Sequence, residues 1–129
     1  MPKSPAVEVE LRSEHLKGIR PDGSDVTFRL KAEAKGDDAS SLEGNGRHFG
    51  SGGAHNDWSV TGSVSGDVVT LAGVTTDSNE SFLIGSPVNL VGDASSGSIT
   101  LAFGPIAGGQ FAGQTIVGTG VGTVTINRS

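Results

Sequence analysis

The stretch that decides the fold is Trp58-Ser59-Val60-Thr61-Gly62-Ser63-Val64-Ser65-Gly66-Asp67-Val68-Val69-Thr70-Leu71-Ala72. Trp58, Val60, Gly62 and Val64 alternate with Ser59, Thr61, Ser63 and Ser65, the period of a strand with one dry and one wet face. Gly66-Asp67 interrupts the run, after which Val69 and Leu71 resume the inward set. Two alternating runs joined by so short a glycine-containing link form a β-hairpin over residues 57–74.

The same period extends outward in both directions. Upstream, Val7, Val9 and Leu11 alternate with Glu8, Glu10 and Arg12, and Val26, Phe28, Leu30 and Ala32 with Thr27, Arg29, Lys31 and Glu33. Arg20-Pro21-Asp22-Gly23 is a turn between them, Pro presetting φ and Gly accepting a positive φ; Ser13–Lys17 leaves room for one helical turn. Downstream, Val88 and Leu90, a turn around Asp93–Gly97, and Ile99, Leu101 and Phe103 make a second hairpin. Its Ser96-Gly97-Ser98-Ile99-Thr100-Leu101-Ala102 echoes Ser65–Ala72, which fits a duplicated hairpin and shared turn chemistry equally well. Phe82–Ile84 reads as a short strand, Pro105–Gly113 as a turn-rich connection, and Thr115–Gly118 with Val121–Asn127 as the last pair. None of these segments is long enough for a crossover helix, so the eight or nine strands are expected to be antiparallel.

These elements predict an all-β domain spanning residues 1–129, an antiparallel barrel of about eight strands, with a two-sheet sandwich as the alternative. The barrel resembles lipocalins and other calycins in architecture alone. Residues 37–57 stand apart. They carry Gly44, Gly46, Gly50, Gly52 and Gly53 with little apolar periodicity, the pattern of a long loop and a candidate lid over an open barrel end.

Composition excludes several classes. A chain of 129 residues is one domain's length, and its 21 glycines follow no Gly-X-Y period, so collagen is excluded. With no cysteine there is no disulfide framework, thiolate nucleophile or Cys-ligated zinc. The net charge is −5 and Arg128 is the sole basic residue after Trp58, which argues against nucleic acid. Ala94–Asn127 carries no charge, but Gly104, Pro105, Gly108, Gly109 and Gly113 break it, so no apolar membrane span is expected. One Trp and no Tyr cannot supply the aromatic girdles of a membrane barrel. Met1-Pro2-Lys3-Ser4-Pro5 has no apolar leader core, so the expectation is a soluble protein, cytoplasmic or a mature secreted form.

The residues able to carry chemistry are few. His48, His55 and Asp57 are the catalytic candidates, since imidazole titrates near neutrality and a carboxylate can orient it. The same three suit a divalent cation chemically, but their spacing matches no metal motif, so no metal and no cofactor is assigned. Gly44-Asn45-Gly46-Arg47-His48-Phe49-Gly50 lacks the spacing and the following helix of a nucleotide loop. Asp77-Ser78-Asn79-Glu80 has Phe82 where a calcium loop of the EF-hand kind needs glycine. Gly62-Ser63-Val64-Ser65-Gly66 places Val64, not serine, at the centre of a nucleophile elbow. Asp37-Asp38 reads as a solvated turn, and the sequons at Asn79 and Asn127 as chance matches. Trp58, with Phe49, Phe82, Phe103 and Phe111, is the expected ligand wall at an open barrel end.

Three functions follow from this reading. The first is a barrel holding an apolar small molecule; the second is a cofactor-independent enzyme (isomerase, cyclase or hydrolase) with one acid/base residue in the cavity. The third is a structural or assembly subunit. Early strands present Glu, Arg and Lys to water whereas later ones present Ser, Thr and Asn, and a neutral face suits packing against another copy, so a homo-oligomer is expected.

Overall fold

The computed structural model describes residues 6–128; the proline-containing N-terminal arm (1–5) and Ser129, which completes the second sequon, lie outside the described residues. Strands β1 Val7–Ile19, β2 Asp25–Gly36, β3 Leu42–Gly50, β4 His55–Ser65, β5 Val68–Ser78, β6 Pro87–Asp93, β7 Ser98–Phe103 and β8 Ile116–Arg128 follow one another in the chain. Each pairs antiparallel with the next, and β8 returns to β1, closing the barrel. A sandwich is thereby excluded. Closure leaves no strand edge unpaired, which removes the usual template for aggregation.

Period two decides what fills the interior. Val7, Val9 and Leu11 of β1, Phe28, Leu30 and Ala32 of β2, Trp58, Val60 and Val64 of β4, and Val69 and Leu71 of β5 are all buried. Val88 and Leu90 of β6 and Ile99, Leu101 and Phe103 of β7 complete the core. Three of the hairpin turns share one device. In Asp22-Gly23-Ser24, Asp38-Ala39-Ser40 and Asp93-Ala94-Ser95 the Ser hydroxyl donates to the Asp Oδ1 at 2.6 Å, and the Ser backbone N–H donates to the same atom at 2.8–2.9 Å. These donors, the hydroxyl first, hold all three carboxyls below their ordinary 3.8.

Four local expectations are corrected. Residues 37–57 are not a loop or a lid: they contain β3 and the start of β4. Leu42, Gly44, Gly46 and His48 take the inward positions of β3, so the alternation is present but is written mostly in glycine. Gly46 lies opposite Trp58 in the register, and a Cβ there would meet Trp58 Cζ3 at 2.5 Å and the Lys31 carbonyl at 2.8 Å. The missing apolar side chain of β3 is thus supplied by the Trp58 ring from β4.

Ser13–Lys17 is strand, not helix. The pairing of β1 with β2 shifts between Ser13 and Leu16, and this bulge brings Leu16 back inside after the exposed Glu14 and His15. Phe82 belongs to a single 3-10 turn, Ser81–Leu83, not to a strand. The two final strands are one, β8, continuous through Gly118, Gly120 and Gly122. A Cβ at Gly118 would press on the Phe28 ring, so glycine there makes room for a large residue of β2, whereas one at Gly120 would overlap the His15 carbonyl of β1 and approach Leu16 Cδ2 at 3.2 Å.

The Gly46–Trp58 fit yields the first prediction. Gly46→Ala is expected to lower stability by about 1–3 kcal/mol, because a packed indole and a backbone carbonyl must both give way. Urea unfolding followed by Trp58 fluorescence measures it; an unchanged midpoint would mean that the indole is free to move.

Candidate functional site

The up-and-down topology sorts the connections between two ends. At one end lie the links at 37–41, 66–67 and 94–97 together with the start of β1 and the end of β8. At the other lie the links at 20–24 and 51–54 and two longer ones, 79–86 and 104–115. The longer pair forms a cap. Leu83 and Ile106 are buried beneath it, and the Ala107 N–H donates to Ser86 Oγ at 2.9 Å, joining one connection to the other. Gly109, with φ of +85°, lies so close to the Phe82 ring that a side chain there would overlap it. Asn79 ties the cap to the β3–β4 turn, its Oδ1 accepting from the His55 N–H at 2.9 Å and its Nδ2 donating to the Gly53 carbonyl at 2.8 Å. The amide of the first sequon is therefore already engaged.

Beneath the cap is a cavity of about 250 Å³. Phe28, Phe103, Phe111, Leu83, Ile106 and Ile116 form much of its wall, His48 and Asn56 its polar lining, and Arg20, Glu80 and Gln110 also border it. Of the expected wall, Phe82, Phe103 and Phe111 line this space. Trp58 and Phe49 do not. Trp58 is buried under Gly46, and Phe49 points outward from β3, stacked on His55 at 4.8 Å between ring centres with the Arg29 guanidinium carbon 4.8 Å from the centre of the Phe49 ring.

The catalytic candidates are likewise divided by the barrel wall. His48 and Asn56 face inward, whereas His55 and Asp57, at alternate positions of β4, face outward. His55 Nε2 lies 3.3 Å from Asp57 Oδ1 without hydrogen-bond alignment, and Arg47 Nε lies 3.7 Å from the same oxygen. This half-exposed ladder of Arg29, Phe49, His55, Asp57 and Arg47 pins β3 to its neighbours. His48, His55 and Asp57, which the sequence suggests for metal or acid/base work, therefore do not converge on one point.

His48 is set by its partners. The Trp58 indole N–H donates to His48 Nδ1 at 3.0 Å, and the Asn56 amide lies 3.1 Å from His48 Nε2. An indole nitrogen can only donate, so Nδ1 carries a lone pair and the single hydrogen of a neutral imidazole sits on Nε2. The ring is further enclosed by Phe103 at 4.9 Å and Phe28 at 5.4 Å, both edge-on. Burial, aided by repulsion from His55, pulls His48 down from 6.5 to about 4. It is neutral at pH 7.

Sequence reasoning missed Phe28, Leu83, Ile106, Ile116 and Asn56 as cavity residues. Phe28 and Ile116 carried the alternation of ordinary core, and nothing local marks a core residue that borders empty space. Asn56 had one signal, its place two residues before Trp58 on the same face of a strand. No protein-family model matches the chain, and no curated protein or solved structure matches it.

The buried imidazole makes stability depend on pH. Between pH 6.5 and about 4 the unfolded chain binds a proton at His48 that the folded protein refuses. Stability is therefore full above this window and falls as the pH drops through it, by on the order of 3 kcal/mol from this residue. Urea unfolding at pH 7.5 and 4.5 measures the loss, and His48→Gln, which keeps an acceptor for Trp58 but cannot titrate, is expected to flatten the slope.

Proposed function

We propose that this protein is a barrel that binds a small apolar molecule, held beneath the cap formed by residues 79–86 and 104–115. The observation that carries the reading is the cavity of about 250 Å³ with its largely aromatic and aliphatic wall. An apolar cavity of ~150 Å³ is enough to hold benzene, so the space suits one ring bearing a short substituent. The rest of the interior is filled by Leu11, Leu71, Leu90, Leu101 and their neighbours, which leaves this end as the place for a guest.

Binding is favoured over acid/base catalysis by the state of His48. A general base needs a free lone pair and a general acid a transferable proton with a pKa near the working pH. His48 spends its lone pair on Trp58, faces Asn56 with its other nitrogen, and protonates only near pH 4. His55 and Asp57 lie outside the wall.

The test uses Gly50, which lines the cavity and where a Cβ would meet nothing nearer than Ala54 Cβ at 3.5 Å. Gly50→Leu fills the space without a clash at its own base. Ethylbenzene is expected to raise the melting temperature of the wild type, with stabilisation of about 2.7 kcal/mol at a hundredfold excess over Kd. The same ligand is expected to leave Gly50→Leu unmoved. A wild-type protein indifferent to ethylbenzene and other single-ring probes would sink the proposal.

A second reading concerns the outer face of β5–β8. Two cross-strand rows, Thr70–Val91–Thr100–Thr119 and Ala72–Asn89–Ala102–Val117, run across it without a charge. Val74, Val91, Val117 and Val121 are exposed there. For a chain of net charge −5, this face lets two copies meet without opposing like charges. We propose a homo-oligomer through it. Light scattering at two concentrations should report a mass above 13.0 kDa, and Val91→Lys with Val117→Lys should return the monomer. A wild-type monomer at both concentrations rules the interface out.

A further inference from the structure

Asn56 is the one buried amide that lines the cavity, and its hydrogen bonding points to a ligand chemistry. Its side chain is 1% exposed, its Nδ2 position faces His48 Nε2 at 3.1 Å, and its Oδ1 position has no hydrogen-bond partner among the described residues. The Trp58 bond has already placed the imidazole hydrogen on Nε2, so the group opposite Nε2 must accept. Two donors cannot face one another. A half-turn of the amide about its last torsion exchanges the two positions and sets Oδ1 against Nε2–H. The amide hydrogens then occupy the position that has no partner, in a side chain bordering the cavity.

From this geometry we infer that the cavity selects an aromatic or aliphatic carbonyl compound, a ketone or aldehyde whose oxygen accepts from the Asn56 amide. The inference rests on the barrel-binder reading and narrows it to a ligand class. An unmet buried amide N–H is costly, and a carbonyl oxygen reaching it from an otherwise apolar guest would meet it. A carboxylate is not the expected guest. Its charge would have to be stripped of water beside a neutral imidazole, and the two charged residues that border the cavity, Arg20 and Glu80, offset one another. An alcohol could also accept, but would bring a hydrogen of its own that needs a further acceptor, which a carbonyl does not. The chain Trp58 to His48 to Asn56 to ligand carbonyl donates in one direction throughout, each group accepting on one side and giving on the other.

The experiment compares acetophenone with α-methylstyrene, the same shape with CH₂ in place of oxygen. Calorimetric or NMR titration gives the affinity of each for the wild type and for Asn56→Leu, which keeps the volume and removes the amide. The ratio of acetophenone to α-methylstyrene affinity is expected to fall roughly two- to tenfold in Asn56→Leu, the value of one net hydrogen bond. Taking the ratio in both proteins cancels the different hydration of the two probes. A ratio unchanged by the substitution, with both probes still bound, overturns the inference and leaves the barrel-binder reading intact. Binding of neither probe to the wild type overturns both, and binding of α-methylstyrene alone overturns the inference only. Should Asn56→Leu not fold, the wild-type side-chain amide resonances of Asn56 decide: a shift with acetophenone but not with α-methylstyrene supports the inference, and equal responses overturn it.

Discussion

The hydrogen bond from the Trp58 indole to His48 Nδ1, at 3.0 Å, is the interaction on which the cavity end of the barrel depends. A buried indole N–H must be met, and in an interior built from Leu, Val and Phe few acceptors exist. His48 meets it and in doing so loses any choice of tautomer. The imidazole then fixes the orientation of Asn56, and its ring packs edge-on against Phe28 and Phe103, two residues of the cavity wall. The bond is possible because Gly46 leaves room for the indole across the β3–β4 pairing. One glycine, one tryptophan and one histidine thus join the packed core to the hollow end.

The two ends of the barrel solve different problems. At the end with short turns, interior side chains fill the space and two of the three Asp-X-Ser turns, Asp38–Ser40 and Asp93–Ser95, hold hairpins tight with charged acceptors. At the capped end, glycines at inward positions of β3 and β8 yield space to Trp58 and Phe28, and the wall they create is covered by two connections in place of further strand residues. Buried side chains fill most of the interior, and a cavity remains where the cap sits. Such a concentration of unfilled volume and buried polarity in one place is where departure from optimal packing tends to mark function.

How much was legible in the sequence follows from how each strand obtains its inward bulk. β1, β2, β4, β5, β6 and β7 carry their own Val, Leu and Phe at alternate positions, so period two exposes them and their antiparallel closure. β3 does not. Gly44, Gly46 and Gly50 take inward positions, the Trp58 ring reaches over Gly46, and alternation of glycine with Asn, Arg and Phe looks like a loop when the neighbour is unknown. β8 was legible as strand at its two ends, where Ile116, Val124 and Ile126 face inward, but not as one strand through Gly118, Gly120 and Gly122. The placement of His48 against His55 and Asp57 was hidden by the loop-like look of β3. Once β3 and β4 are strands joined by a short turn, parity alone puts His48, Asn56 and Trp58 on one side of the wall and His55 and Asp57 on the other. Phe82 was legible as a cavity residue but not as part of the cap, since a single 3-10 turn has no periodicity to read.

The polar group in the wall also bears on why the cavity is not simply greasy. Replacing a buried hydrogen-bonded set by well-packed apolar residues of equal volume is often neutral or stabilising, so fold stability alone does not call for His48 and Asn56. His48 moreover makes the protein less stable in mild acid, because burial resists its protonation down to about pH 4. Phenylalanine at 48 and leucine at 56, with another aromatic at 58, would spare the barrel both the pH penalty and the amide position left without a partner. What such a core would lose is direction: an apolar cavity admits any guest of the right size, whereas a single oriented amide, held by an imidazole whose tautomer is itself fixed, distinguishes guests by where they carry an acceptor. On the proposal that the cavity takes a carbonyl guest, the stability given up at His48 and Asn56 is the cost of choosing among ligands of similar shape.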